Sequence, residues 1–117
     1  MTAVFVYGLL KPGLSMWHMV EPYVTRRAEG TARGRLYVAE YPAARFDEDG
    51  EIEGFVFEID ATRLDEALRV LDDLEDEGTE YRRITITVAT ADGAVEAHAY
   101  EYLLDLDPEA FVGTTWS

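Results

Sequence analysis

Few side chains in this sequence can do chemistry, and most of those are carboxylates. Asp and Glu number 24 against 10 Lys and Arg, with 2 His and no Cys. Without cysteine there is no thiol nucleophile, no disulfide framework and no thiolate site for zinc or an iron–sulfur cluster. His18 and His98 are far apart in sequence and lack carboxylates at ligand spacing, so no metal site is expected. No Ser-His-Asp arrangement is indicated by spacing, although such triads need not be close in sequence. What remains is proton transfer by a carboxylate, which requires one acid to differ in its surroundings from the rest.

Glu75 is that acid. The segment Leu64 to Glu75 reads as an amphipathic helix, with Asp60 or Thr62 available as its cap. On a wheel of about 100° per residue with Leu64 at zero, Leu68 falls at about 40° and Leu71 at about −20°. Glu75 falls at about 20°, in the middle of this apolar stripe. Asp73 points to roughly the opposite side, and Asp72 and Asp76 lie on the flank at roughly 80° and 120°. A carboxylate held against apolar surface is poorly solvated when charged, so its pKa rises. A Glu tuned upward exchanges protons near neutral pH. The alternative is that Glu75 lies beyond the helix end, where the wheel lapses and the side chain meets water.

The second feature is the loop Tyr7-Gly8-Leu9-Leu10, which leaves the apolar run Val4-Phe5-Val6. Glycine there lets backbone approach a ligand, and successive N–H groups at such a turn form a nest for an anion or a developing oxyanion. The loop is neither a P-loop nor a dinucleotide fingerprint. By itself it reads equally as a turn that ends a strand. Tyr7 and Tyr81 are candidate pocket walls, each with a hydroxyl to donate; ordinary amphipathic packing is the other account. Arg82 shares strand parity with Ile84 and Ile86, and either meets a substrate carboxylate or snorkels at a strand end. His18, beside Trp17, is a further candidate for the pocket, against the commoner fate of a lone histidine.

The elements that must hold these residues follow from pattern. Val4 to Val6 predicts a strand buried on both faces. Leu9 to Gly13 is a loop, and Met16 to Tyr23 a short helix interrupted near Pro22. Strands are predicted from Glu29 to Ala39 and from Glu51 to Asp60, around the turn Glu48-Asp49-Gly50. Tyr81 to Thr90 alternates cleanly, Asp92-Gly93 supplies a hairpin turn, and Val95 to Leu104 is the partner strand. The tail from Pro108 reads as a loop closing over the domain. The expected class is α+β, with strands that can close into a barrel, in a single domain spanning residues 1–117.

The formal charge of −14 repels phosphate backbones and anionic headgroups, so neither a nucleic-acid nor a membrane-surface partner is expected. No apolar run approaches the ~18 residues of a membrane span. Met1-Thr2-Ala3 runs straight into a strand with no basic region ahead of it, so no signal peptide is expected and the expected location is cytoplasmic. The sequence does not fix an oligomeric state.

Val4-Phe5-Val6-Tyr7-Gly8-Leu9-Leu10-Lys11-Pro12-Gly13 closely resembles the opening motif V-F-V-Y-G-T-L-K-P-G of the γ-glutamylcyclotransferase-like (AIG2-like) family. Gly34-Arg35-Leu36-Tyr37 followed by Tyr41-Pro42-Ala43 resembles its second and third strand region. Glu53-Gly54-Phe55-Val56-Phe57-Glu58-Ile59 is similar to its G-x-x-Y-x-V strand. Leu71-Asp72-Asp73-Leu74-Glu75 matches the helix end L-D-x-x-E, and Tyr81-Arg82-Arg83 the strand start Y-x-R. Gly113-Thr114-Thr115-Trp116 is similar to the G-D-W near the end of many members. These segments keep the family's order and cover nearly the whole chain.

The resemblance implies a small mixed β-barrel flanked by helices. It implies attack of the α-amine of a small γ-glutamyl substrate, an amine or a peptide conjugate, on its own γ-carbonyl, giving 5-oxoproline and a free amine without cofactor or metal. Glu75 is then the general acid–base, Gly8 to Leu10 offer N–H groups to the substrate, and Tyr7 and Tyr81 are walls. The family usually has Thr or Ser where this chain has Leu9, which removes a hydroxyl and makes the pocket more apolar. Leu9 keeps an alternative open, a non-catalytic small-metabolite-binding module on the same fold.

Overall fold

A computed structural model describes residues 1–38 and 41–114 of the chain. In chain order the elements are β1 (Ala3–Val6), α1 (Trp17–Val20), β2 (Val24–Arg33), β3 (Arg35–Val38), β4 (Pro42–Arg45), β5 (Glu51–Ile59), α2 (Leu64–Leu74), β6 (Tyr81–Thr90), β7 (Gly93–Tyr102) and β8 (Phe111–Gly113). Single 3-10 turns lie at Glu21–Tyr23, Ala61–Arg63 and Pro108–Ala110. The strands form a closed barrel in the order β1-β5-β2-β6-β7, and a three-stranded sheet in the order β4-β3-β8. Sheet and helices together make the α+β barrel that the sequence predicts.

All four residues of β1 are buried. Successive strand side chains point to opposite faces, and here each face has its own core. Ala3 and Phe5 join Val56, Val88, Ala97 and Ala99 inside the barrel. Val4 and Val6 join Phe57, Leu68, Leu71 and Tyr100 between barrel and helices. The chain leaving β1 keeps to this boundary, with Tyr7 in the inner cluster and Leu10 in the outer one.

β1 pairs antiparallel with β5, Val6 opposite Phe55, and parallel with β7, Val4 opposite His98. The end of β1 sits so close to β5 that a Cβ on Gly54 would lie 2.2 Å from the Val6 carbonyl oxygen. The barrel closes through three pairs between β2 and β6, from Gly30 opposite Thr90 to Ala32 opposite Val88.

Two sequence expectations need correction. The strand expected over residues 29–39 is two strands in different sheets, and residue 39 lies outside the described residues. β2 starts at Val24 and ends at Arg33; Gly34, at φ +152°, turns the chain into β3. A Cβ there would meet the Arg45 carbonyl oxygen at 2.6 Å. Residues 25–29 are all exposed, so the first half of β2 carries no apolar alternation by which to recognise it. The tail is not only a loop: β8 pairs with β3, Leu36 opposite Gly113 and Tyr37 opposite Phe111. Three residues are too few for a periodic signal, and the Arg35 guanidinium covers the Phe111 ring at 4.2 Å.

α2 packs on the barrel through Ala67, Leu68 and Leu71. Asp60 starts the turn before it, accepting from the Thr62 N–H at 2.9 Å and the Thr62 hydroxyl at 2.7 Å. Asp65 and Glu66 in the first turn complement the helix dipole. Among the described residues, no helix is long and apolar enough to cross a membrane.

Candidate active site

α2 ends at Leu74, and Glu75 is its cap residue at φ −93° and ψ 0°. The Glu75 N–H still donates to the Leu71 carbonyl at 2.9 Å, the helical i to i−4 bond. The helical path therefore persists one residue beyond the helix. Asp76 then takes φ +50° and breaks it. This geometry keeps Glu75 over the buried leucine stripe, while Asp73 and Asp76 are exposed. Burial raises the Glu75 pKa to about 7, and the nearby charge of Glu80 adds to the rise.

Glu75 borders a pocket with about 580 Å³ of empty space, its open side included. Tyr7, Gly8, Leu9 and Leu10 form one wall; Glu75, Tyr81 and Tyr100 face them. Tyr7, Gly8, Leu9, Leu10, Glu75 and Tyr81 thus line one pocket.

The loop wall is shaped by backbone hydrogen bonds. The Lys11 N–H donates to the Gly8 carbonyl at 3.1 Å, and the Met16 N–H to the Leu9 carbonyl at 2.9 Å. These bonds turn the carbonyls of Gly8 and Leu9 back into the loop. Among the described residues, no backbone group accepts from the Leu9 or Leu10 N–H. A bound anion is a suitable partner for donors of this kind. At Gly8 a Cβ would stand 3.0 Å from two carbons of Pro42, so any side chain there presses on the opposite wall.

Tyr7 and Tyr81 do form walls, but neither hydroxyl is free to donate to a ligand as the sequence suggests. Tyr7 donates to the Tyr100 carbonyl at 2.5 Å, and Tyr81 to the Pro42 carbonyl at 2.6 Å. The Tyr81 oxygen keeps its capacity to accept, toward an ammonium for example, whereas the Tyr7 oxygen already takes a hydrogen bond from the Ala44 backbone. Burial, followed by the charge of Glu75, pushes both phenols well above their ordinary pKa, so they stay neutral. That Glu75 acts on both places the three groups within electrostatic reach of one another.

Sequence reasoning missed the group that fixes the helix end. Asp72 accepts from the Tyr100 hydroxyl at 2.6 Å and from one Arg83 nitrogen at 3.0 and 2.9 Å. Arg83 and Tyr100 are cross-strand partners in the β6–β7 hairpin. The clamp ties α2 to the barrel one turn ahead of Glu75. The alternation of Tyr100 with His98 and Tyr102, aligned through the hairpin register, is the signal that could have found it.

Other candidates lie elsewhere. His18 is exposed, and His98 is on β7 outside the pocket, its pKa lowered by burial and then by Arg83. Arg82 points away to an ion pair with Glu101 at 3.3 Å. Thr115 and Trp116 of the last motif lie outside the described residues. Among the described residues, no group of three His, Asp or Glu side chains could hold a metal.

The family model described as gamma-glutamyl cyclotransferase, AIG2-like, matches residues 4–117. Solved structures share the fold. An AIG2-like protein from Mus musculus superposes with a TM-score of 0.76 at 24% identity, over 94% of this chain and 82% of that one. YkqA from Bacillus subtilis gives 0.71 at 25% identity, over 95% of this chain and 37% of that longer one. A gamma-glutamyl cyclotransferase gives 0.59 at 15% identity, over 86% and 66%. No curated protein sequence matches the chain.

Proposed function

The chain belongs to the gamma-glutamyl cyclotransferase, AIG2-like family, and from this premise we propose that it is a single-domain cyclotransferase acting on a small γ-glutamyl compound, with Glu75 as general acid–base. The observation that carries the reading is the placement of Glu75. It is the one Asp or Glu among the described lining residues, and its pKa of about 7 suits it to both accept and return protons near neutrality.

The substrate α-ammonium gives Glu75 a proton, and the freed nitrogen lone pair attacks the γ-carbonyl carbon. The carbonyl π electrons move to oxygen, where the Leu9 and Leu10 N–H groups are available to stabilise the oxyanion. The oxyanion then collapses and the bond to the leaving nitrogen breaks. The attacking ammonium loses two protons in becoming the lactam N–H. The leaving nitrogen gains two and departs as an ammonium. Glu75 carries each proton in turn and ends unchanged, and no water, oxidant or metal enters the balance. Holding the glutamyl chain coiled is the main demand on the pocket, since the reaction is intramolecular. The neutral oxygen of Tyr81 can accept from the ammonium before it is deprotonated.

The test is release of 5-oxoproline from a panel of γ-glutamyl amines and peptides, with wild type beside Glu75→Gln. Full turnover by the Gln variant on any accepted substrate removes Glu75 from the mechanism. Leu9 favours a second reading, a non-catalytic metabolite-binding module. A ligand-induced rise in Tm without 5-oxoproline release across the panel selects it.

A further inference from the structure

We infer that the free edge of β2, residues 25–29, is a docking site for an extended segment of another polypeptide, one that sets an acidic side chain against Arg27 and apolar side chains over Ala28 and Val56.

The barrel is not closed along the whole of β2. β5 pairs with it from Val24 to Arg33, but β6 pairs with it only from Gly30 to Ala32. β6 ends at Thr90, and the chain turns back into β7 at Gly93. Past that turn, residues 25–29 have β5 on one side and, among the described residues, no backbone partner on the other. Alternate N–H and C=O groups along about 17 Å of strand therefore face water. An open edge of this kind is a template for one more strand.

Exposure marks the same gap. Ala28, Gly30 and Ala32 share a face of β2, and Ala32 belongs to the core inside the barrel. Gly30 and Ala32 are buried, yet Ala28 is exposed, because no residue of β6 stands beside it. Between this edge and the hairpin tip at Thr90 and Asp92 lies a groove with about 610 Å³ of empty space, its open side included. Val56 and Val95 are in its lining, and both pack in the inner core. A strand continuing the line of β6 past Thr90 would lay every second side chain over these valines and take apolar surface out of water.

Charge decides which strand fits. Five arginines are held by carboxylates. Arg26 and Arg27, side by side on the free edge, are in none of these pairs. Glu58 lies opposite Arg26 on β5 and also lines the groove. Arg27 is on the other face, with its guanidinium 5.6 Å from the Trp17 ring. An acid directly across from Arg27 stabilises the added strand, and a base there repels it. The edge does not suit a second copy of itself. Two-fold antiparallel pairing centred on Arg26 or Arg27 sets like charges face to face. Centred on Ala28, it drives Arg26 of the second copy into the place beside Gly30 that Thr90 holds. Centred on Thr25, it runs into the bulge there and the turn Glu21–Tyr23.

The experiment titrates the full chain with end-blocked pentapeptides and follows backbone amide shifts by NMR. The first peptide has a central glutamate between two valines, with a threonine at each end. The second has lysine in place of glutamate, and the third has proline in place of both valines. The glutamate peptide is expected to bind about three- to tenfold more tightly than the lysine peptide. Its shifts, with protection from hydrogen exchange, should fall at residues 25–29 and at the hairpin tip. The net charge of −14 by itself favours the lysine peptide, so this order is not a general electrostatic effect. Arg27→Glu, at an exposed position, should reverse the order. The proline peptide, which lacks the strand's N–H donors, should not bind. The inference is overturned if no peptide binds at millimolar concentration or if the shifts fall elsewhere. It is equally overturned if the lysine peptide binds as well, if the proline peptide keeps the affinity, or if Arg27→Glu leaves the order unchanged.

Discussion

Two glutamates near the open end of the β6–β7 hairpin, where Arg82 pairs with Glu101, are withdrawn from water and treated in opposite ways. Glu101, on β7, is 8% exposed. One of its oxygens accepts from the Phe46 N–H at 2.8 Å and the other from Arg82 at 3.3 Å. Glu75, past the end of α2, is pushed up by burial and by a like charge, with no hydrogen bond among the causes that act on it. A buried carboxylate with donors on both oxygens is a structural part that joins β6 and β7 to the turn after β4. One left without donors is held in readiness to change its protonation state. Burial alone does not separate the two; the donors do.

The sharpest way to break this contrast is to remove each carboxylate's charge and read activity and stability separately. Glu75→Gln should lower kcat/KM for 5-oxoproline release by roughly 10²- to 10⁴-fold, the usual worth of a positioned general acid–base. It should leave the fold intact, as seen by circular dichroism. A loss below tenfold would place the proton chemistry elsewhere.

The same variant makes a prediction about stability. The folded-state pKa of Glu75 is about 7, against 4.5 for an unperturbed Glu. The folded protein therefore holds this proton between those values while the unfolded chain has lost it. Stability falls as pH rises through that window, and the full penalty is present above about 7. Glu75→Gln abolishes the penalty. By chemical denaturation it should be more stable than wild type by roughly 3 kcal/mol at pH 8. The two proteins should converge below pH 4.5.

Glu101→Ala should do the reverse. It strands the buried Phe46 N–H, which costs about 1–3 kcal/mol, and lowers Tm, while kcat/KM per folded molecule stays near wild type. A change in rate with no change in Tm would reverse the roles assigned to the two glutamates.

Legibility in the sequence follows the same divide. Glu75 could be picked from its acidic neighbours because Leu64, Leu68 and Leu71 set a period that the backbone keeps for one more residue, through the bond from Glu75 to Leu71. The burial of β1 was legible because a continuous apolar run needs apolar partners on both faces. The partners of the site were not legible. The acceptors of the Tyr7 and Tyr81 hydroxyls, Tyr100 and Pro42, lie 93 and 39 residues away, and only the closed barrel brings them near. Asp72 looked like a flank residue because a wheel knows one helix; its meaning comes from Arg83 and Tyr100 on another element. The split at Gly34 was hidden because the exposed half of β2 shows no alternation.

The smallest expected effect is the finest test of what tunes Glu75. Asp72 is one turn away on the same helix and Glu80 lies beyond the turn, yet only Glu80 contributes to the raised pKa. Neither Asp72 nor Arg83, its ion-pair partner at 2.9 Å, is among the groups that act on Glu75. Glu80→Gln removes the like charge while burial remains. The Glu75 pKa should then move down from about 7 without reaching the ordinary carboxylate range. As the base must be ionised to act, the acidic limb of kcat/KM against pH should shift to lower pH, with the plateau held. Asp72→Asn should leave that midpoint where it is and lower the plateau by less than about tenfold, since a neutral amide still accepts from Tyr100 but holds Arg83 less firmly. If Asp72→Asn moves the midpoint and Glu80→Gln does not, the helix clamp sets the proton affinity of the site and the turn beyond it does not.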